Sequence, residues 1–424
     1  MFELLQRNWH ILISQPAPPP KATSDNDVVR FGLLGAAKIA PIALITPARQ
    51  HPNVIVHAVA ARDRGKAAAF AKKYGIGVVH GSYQELLDDP AIDAVYIPLP
   101  NGLHFEWALR SLAAGKHVLL EKPSANNAVE AELLFRSPLL LSPPAPILLE
   151  AFHYRFQPSW RLFLALLDQP TIQHASVTMT VPALAIPKDD IRFEFALGGG
   201  ALMDLTYTMD VLRGVYGCEP TECTGCTVRQ FPGGDERIDV AYTGSWRFPN
   251  GGTGATHGDL QLGLLETLKD PWPTVTVVHR PVAVDGDGSE ETRRTRTVKL
   301  VNFVWGAIYH RIDIQDEFTI VHKRGDGTEE VVKKRWTKKE TRKAHTLREA
   351  GIDRHSEKYW MTYKYQLDEF IYRIRTQRGL EETGIGGTGV WVDAEDSIAQ
   401  ARMIDMAYTK AGLPLRPTST YRPV

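Results

Sequence analysis

The stretch Val28 to Ala40, VVRFGLLGAAKIA, decides how the rest of the chain reads. Val28, Val29, Phe31, Leu33 and Leu34 make a short apolar, β-rich run that suits a strand covered on both faces. Gly35 ends it. The spacing Gly35-x-Ala37-x-x-Ala40 is that of the dinucleotide fingerprint, with alanine in its second and third places. A tight turn at Gly35 would aim the backbone N–H groups of Ala36, Ala37, Lys38 and Ile39 at a pyrophosphate, where a helix N-terminus favours negative charge. Such a turn gains weight only inside repeated β-α-β units, so the segments beyond it carry the argument.

Those segments alternate strand and helix for more than a hundred residues. A second strand spans 54–60, Asp63 can cap a helix that stops at Gly75, and Ser82-x-x-Glu85 reads as a capping box. Strands follow at 93–97, 117–120 and 146–149, with a helix over 103–114 ended by Gly115. The pattern predicts an α/β protein whose N-terminal Rossmann domain, 28–151, holds a doubly wound parallel sheet. Ahead of it, residues 1–27 read as an arm and a proline-rich linker without the apolar core of a secretory signal.

Beyond residue 220 the pattern is mostly strand, at 221–230, 239–248, 274–284, 297–305 and 313–322. This predicts an α+β domain over 152–424 with a large, mainly antiparallel sheet, and surface hairpin loops at 285–296 and 324–330. An exposed apolar stretch at 301–305 would suit a homodimer face. A helix over 393–411, striped by Ile398, Ala401, Ile404 and Tyr408, is expected to lie against the Rossmann unit or the sheet.

Composition narrows the function. Lysine plus arginine and aspartate plus glutamate each number 49 in 424 residues, so no global field favours nucleic acid or an anionic membrane. No apolar run has membrane-spanning length, and three cysteines suit a reducing cytoplasm. The pair Cys223 and Cys226 lacks the further ligands of a zinc site, so no metal is expected. The basic stretch 333–343 reads as a solvated face.

The end of the second strand selects the cofactor of such a fold. An acidic side chain there would take the ribose hydroxyls of NAD, but the chain reads Ala60-Ala61-Arg62-Asp63-Arg64. A small residue followed by Arg62 and Arg64 leaves room for a 2′-phosphate and planar cations to grip it, which favours NADP. Asp63 would serve NAD if the strand ran further.

Two more loops fall at strand ends, Pro98-Leu99-Pro100-Asn101-Gly102-Leu103-His104 and Glu121-Lys122-Pro123. PLPNGLHFEWALRSLAAGKHVLLEKP, with EAFHYRFQP at 150–158 and GGGALMD at 198–204, resembles the glucose-fructose oxidoreductase, inositol dehydrogenase and rhizopine-catabolism (Gfo/Idh/MocA) family. Its nearest likeness is the branch of NADP-dependent D-xylose dehydrogenases and dimeric dihydrodiol dehydrogenases. The resemblance implies a dinucleotide held by Gly35 to Ile39, Pro98, Leu99, Asn101, His104 and Glu121, with Lys122 as catalytic lysine beside the nicotinamide. Chemistry assigns Lys122 the same role, because hydride removal from an alcohol carbon requires a base for the hydroxyl proton. Lys122 could equally lower the pKa of a neighbouring tyrosine.

Asp204, Tyr207 and Thr208 share a helix face by their three- and four-residue spacing. Much of the family has histidine or tyrosine where this chain has Thr208, so Tyr207 is read as donor and acceptor to a substrate hydroxyl, oriented by Asp204. The opposing view packs Tyr207 against the sheet. Tyr154, Arg155 and Thr208 are candidate substrate contacts. The resemblance thus implies an NADP-dependent dehydrogenase of a sugar or vicinal diol, with D-xylose oxidised at C1 first and trans-dihydrodiols next. A non-catalytic NAD(P) sensor or repressor is the alternative of another class.

Overall fold

The computed structural model describes residues 18–22, 27–141, 144–269, 271–286, 290–323, 330–380 and 387–422. Most of the expected arm and linker at 1–27 and most of the loop at 324–330 lie outside them. Six parallel strands, β1 (Val29–Leu34), β2 (Val54–Ala60), β3 (Val78–His80), β4 (Ala94–Ile97), β5 (His117–Leu120) and β6 (Leu148–Glu150), form one sheet in the order β3-β2-β1-β4-β5-β6. The order reverses between β1 and β4, and in such sheets the crevice at the strands' carboxyl ends receives ligands.

Both faces of this sheet are covered, which is why its strands are apolar throughout. Phe31, Leu33, Val59, Tyr96 and Leu119 face the core shared with the second sheet. Their alternates Leu34, Ala58, Ala60, Val95, Ile97 and Leu120 face a separate apolar layer. Local signals set the helix ends. The Asp63 carboxylate accepts from Lys66 N at 3.0 Å to start α1 (Arg64–Tyr74), which stops at Gly75 with φ +73°. Ser82 Oγ accepts from Glu85 N at 3.1 Å, while the Glu85 carboxylate reaches back to Gly81 N at 2.8 Å. Helix α2 (His104–Ala113) follows β4, and α3 (Ala128–Phe135) follows β5.

The second sheet holds β7 (Ile172–Pro182), β8 (Glu222–Gln230), β9 (Asp239–Arg247), β10 (Thr253–Leu262), β11 (Thr274–His279), β12 (Val282–Gly286), β13 (Glu290–Val301), β14 (Arg311–Lys323) and β15 (Glu330–Arg342). It runs β15-β14-β13-β11-β7-β10-β9-β8, with β12 beside β13, and only the β7–β10 pair is parallel among these described strands. Two expectations change, and the solvated basic stretch takes the form of a strand. Residues 290–296 are not loop but the first half of β13, paired with β14 through Arg294 and Phe318. The stretch 333–343 is largely β15, an edge strand solvated on both faces. Val301, Phe303 and Val304 are buried, because the chain turns inward after β13, and Trp305 alone of that run is exposed.

Helix α4 (Tyr207–Tyr216) lies on β7 and β10, and α5 (Thr362–Gln377) packs beside the first crossover helix and the crossing at 153–156, with the Phe370 ring 6.0 Å from that of Phe31 on β1. Helix α6 (Ala394–Ala411) lies against α3, with Arg402 and Glu132 paired and Asp405 accepting from Ala128 N at 2.9 Å. Its Ile398 and Ala401 enter the outer apolar layer. The tail after α6 returns to the first sheet, where Asn126 and Asn127 donate to the carbonyls of Pro417 and Arg416. Arg416 is fully buried on Asp239 at 2.7 Å and donates to Gly199 O at 2.6 Å. Asp239 also accepts from Leu202 N at 2.7 Å, so this ion pair fixes the glycine-rich turn leading to Asp204.

Candidate active site

The cleft at the strand reversal is built on Gly35. Its φ of +104° is one that side chains rarely adopt, and an added Cβ would stand 3.1 Å from Leu99 Cδ2. Its amide is bound to Ala60 O at 2.7 Å. The next four amides, Ala36 to Ile39, have no intramolecular acceptor among the described residues. The helix then begins at Pro41, which has no N–H to satisfy, and Ala40 is buried where helix meets strand. A turn that leaves a row of free N–H groups at a helix start fits a dinucleotide pyrophosphate. Lys38 is exposed beside it. Arg62 and Arg64 are exposed at the end of β2, whereas Asp63 is committed to the α1 cap, which removes the acidic ribose ligand.

The loop after β4 forms the second wall. Asn101 Nδ2 donates to Gly198 O at 2.9 Å, and a Cβ on Gly102 would meet Ala196 O at 2.7 Å. This loop therefore leans directly on the glycine-rich turn of the other half, with Pro98 half-buried at its start. His104 is placed otherwise than the resemblance implied. It is fully buried, and its ring nitrogens meet Pro123 O and Leu99 O at 2.8 Å each. Its part is to clip the β4 and β5 loops together. Burial lowers its pKa to about 4.

Lys122 stands two residues beyond β5 and is followed by a cis proline. Its ammonium donates to Asp204 O at 2.7 Å, lies 3.5 Å from Asp204 Oδ1 and stands 4.8 Å from the Tyr207 ring centroid. Asp204 Oδ2 accepts from Arg192 Nε at 2.9 Å, and Arg192 also holds Asp190. Burial would raise the Asp204 pKa, but Lys122 and Arg192 outweigh it and hold the carboxylate ionised below its ordinary range. Glu121 accepts from Tyr96 OH at 2.6 Å, and burial raises its carboxyl pKa. Lys122, Glu121, Asp204 and Tyr207 thus meet in one cluster.

Tyr207 packs edge-on against Phe152, His153 and Tyr154, and its hydroxyl has no hydrogen-bond partner among the described residues. The expectation that Lys122 lowers its pKa is reversed. Burial first, then Tyr363 and the negative charges of Glu121 and Asp204, push the phenol well above its usual value, so it stays protonated.

The three candidate substrate contacts are spent elsewhere. Thr208 is fully buried and its hydroxyl pairs with Tyr242 on β9, because one step along the helix turns it from Lys122 toward the sheet. Tyr154 donates to Asp210, and Arg155 pairs with Asp210 and Asp396, joining α4 to α6. Tyr96, Arg192, His153 and Tyr363 were not read from the sequence. Each is an ordinary strand, loop or helix residue in its local context, and only the tertiary fold brings it to Lys122. A cavity of about 810 Å³ lined by Tyr372, Arg373 and Trp391 lies apart from this cluster.

Residues 29–137 match the Gfo/Idh/MocA model, described as an oxidoreductase family with an NAD-binding Rossmann fold. D-xylose 1-dehydrogenase (NADP(+)) 2 of Haloferax volcanii is 39% identical over 177 residues, 41% of this chain and 53% of its own. Trans-1,2-dihydrobenzene-1,2-diol dehydrogenase of Sus scrofa is 30% identical over 233 residues, 54% of this chain and 67% of its own. The match thus spans little more than half the length of the Haloferax relative. In fold the chain is similar to a 3-ketoreductase from Actinomadura kijaniata crystallised with NADP and TDP-benzene, with TM-score 0.64 and 23% identity over 90% of this chain and 98% of that one. No helix among the described residues is long and apolar enough to cross a membrane. With this match, this overlap and this site, the chain belongs to the Gfo/Idh/MocA family of oxidoreductases.

Proposed function

We propose that the chain is an NADP-dependent dehydrogenase that moves hydride between a carbohydrate or vicinal-diol carbon and the cofactor, with D-xylose oxidised at C1 to a lactone as its leading reaction. The observation that carries this reading is the Lys122 ammonium, anchored by Asp204 where β5 meets the strand-reversal cleft. The named activities of the Haloferax and Sus scrofa relatives support the substrate class. In this reading Gly35, Ala36, Ala37, Lys38 and Ile39 hold the pyrophosphate, Arg62 and Arg64 the 2′-phosphate, and Pro98, Leu99 and Asn101 line the cleft. NADP, when bound, supplies the hydride acceptor.

Lys122 acts in its neutral amine form. It takes the hydroxyl proton as both electrons of the C–H bond leave with the hydride to the cofactor, the carbon becomes a carbonyl, and the ammonium so formed passes one proton on to water. Asp204, kept ionised, holds that ammonium in place, and Tyr207, kept neutral, offers its free hydroxyl to the substrate. Glu121 buttresses the loop through Tyr96. The same reading divides the chain into an arm at 1–27, a Rossmann domain at 28–151 and a substrate domain at 152–424 that pairs with a second copy in the cytoplasm. A trans-dihydrodiol is the competing substrate, favoured by the longer overlap with the Sus scrofa enzyme.

Absorbance at 340 nm, followed while aldoses and diols are offered with NADP or NAD, tests the reading. It predicts reduction of NADP by at least one pentose. Tight NADP binding with no turnover on any of them would favour a sensor instead.

A further inference from the structure

Thr208 faces the sheet, so the position at which much of the family keeps an acid–base partner for the lysine is empty of one here. A different imidazole stands close by. His153 lies where the chain leaves β6 for the second sheet, and it is 1% exposed. Its Nδ1 is bound to Thr362 Oγ1 at 2.7 Å, and its ring lies over Tyr363 with centroids 3.9 Å apart. Its other side meets the edge of Tyr207 at 5.8 Å, and Tyr207 in turn carries the Lys122 ammonium 4.8 Å from its ring centroid. The remaining nitrogen, Nε2, is buried with no hydrogen-bond partner.

A buried polar atom without a partner is costly, and natural proteins keep few of them. The ring's other nitrogen is anchored on Thr362, and the orphaned one belongs to a ring that meets Tyr207, which the dehydrogenase reading gives to the substrate. We propose that His153 Nε2 is the contact for a second substrate hydroxyl, on the carbon next to the one that Lys122 serves. It is thereby a specificity-determining residue for vicinal hydroxyls. This rests on the dehydrogenase reading above and names its substrate class more narrowly.

The surroundings suit that role. Burial and the nearby charge of Lys122 drive the imidazole pKa down to about 3, so the ring is neutral at working pH and does not repel the ammonium. A neutral imidazole held at Nδ1 presents Nε2 as a single donor or acceptor, matched to one hydroxyl. A deoxy substrate would leave the nitrogen as it now stands, unpaired.

The test compares kcat/KM for D-xylose, D-glucose and D-galactose with that for each 2-deoxy analogue, using NADP, in the wild type, His153→Asn and His153→Gln. Asparagine keeps an amide near Nδ1 and deletes Nε2, whereas glutamine extends a polar atom toward the Nε2 position. The wild type should prefer its best sugar over the deoxy analogue by roughly 10- to 100-fold. His153→Asn should bring that ratio close to one by losing rate on the parent sugar alone, and His153→Gln should restore part of it. Parent and analogue falling together, or an unchanged ratio, would overturn the assignment, since packing or a buried water at Nε2 predicts that result. Should His153→Asn fail to fold, the ¹⁵N resonance of His153 Nε2 in wild-type protein with NADP decides. It should shift on adding the best sugar and much less on adding its analogue, and equal responses would refute the proposal. A wild type inert toward all three sugars and toward trans-dihydrodiols would remove the dehydrogenase reading together with this one.

Discussion

Lys122 Nζ donates to the backbone carbonyl of Asp204 at 2.7 Å, although the two residues stand 82 positions apart and belong to different sheets' connections. The carboxylate of the same aspartate is shared, with Oδ1 3.5 Å from the lysine and Oδ2 2.9 Å from Arg192 Nε. A cation on each side keeps Asp204 ionised in spite of its burial.

Arg192 therefore sets the pH range in which that anchor works. Replacing it by leucine removes one of the two cations that lower the Asp204 pKa, so the carboxylate will protonate at higher pH. We expect Arg192→Leu to move the acid limb of the kcat/KM profile upward. A profile that keeps its acid limb while only its height falls would contradict this.

Arg62 and Asp63 should separate cleanly. Arg62→Ala is expected to weaken NADP by about tenfold or more while NAD changes little, as for the loss of a charge-assisted phosphate contact. Asp63→Ala removes a helix cap and should lower Tm slightly without changing the preference between cofactors. Binding titrations with both dinucleotides check the pair; equal loss of NAD and NADP in Arg62→Ala would count against the 2′-phosphate assignment.

Gly35→Ala tests the turn itself. Alanine at a φ of +104° costs roughly 1–2 kcal/mol in backbone strain, and its methyl would crowd Leu99. The variant should lose stability of that order in urea unfolding and bind NADP more weakly. Unaltered affinity would mean that the free amides of Ala36 to Ile39 are not the phosphate site.

Glu150 at the end of β6 gives the protein a pH-dependent stability. Burial raises its carboxyl pKa to about 7, and its Oε2 has no partner. The folded pKa lies above the unfolded one, so the contribution is complete below the unfolded pKa and is lost as pH rises through 7. Glu150→Gln abolishes this titration. Its stability relative to wild type should therefore climb between pH 4 and pH 8, by on the order of 3 kcal/mol. A difference that stays constant across this window would show that Glu150 ionises normally.

The Rossmann half was legible because each unit announces itself locally. Gly35, Asp63, Ser82, Glu85 and Gly115 mark turns, caps and stops within a few residues of the elements they bound. The second sheet was only partly legible. Strand β10 pairs in parallel with β7, with Thr253 opposite His174. Edge strand β15 has no buried face, and so no alternation to read. The site divides in the same way. Lys122 and Gly35 stand at strand ends, where the fold rule points, while Tyr154 and Arg155 were misjudged because Asp210 and Asp396, distant in sequence, claim their polar atoms. His153 carried no local mark at all; its meaning lies in Thr362, Tyr363 and Tyr207 around it.

The most direct test is the single-turnover rate of NADP reduction at 340 nm by the wild type's best sugar, measured for Lys122→Met beside its NADP affinity. Lys122→Met should reduce NADP more slowly by about 100-fold or more, as for loss of an acid–base group, with cofactor affinity nearly unchanged. A variant that transfers hydride as fast as the wild type would contradict it.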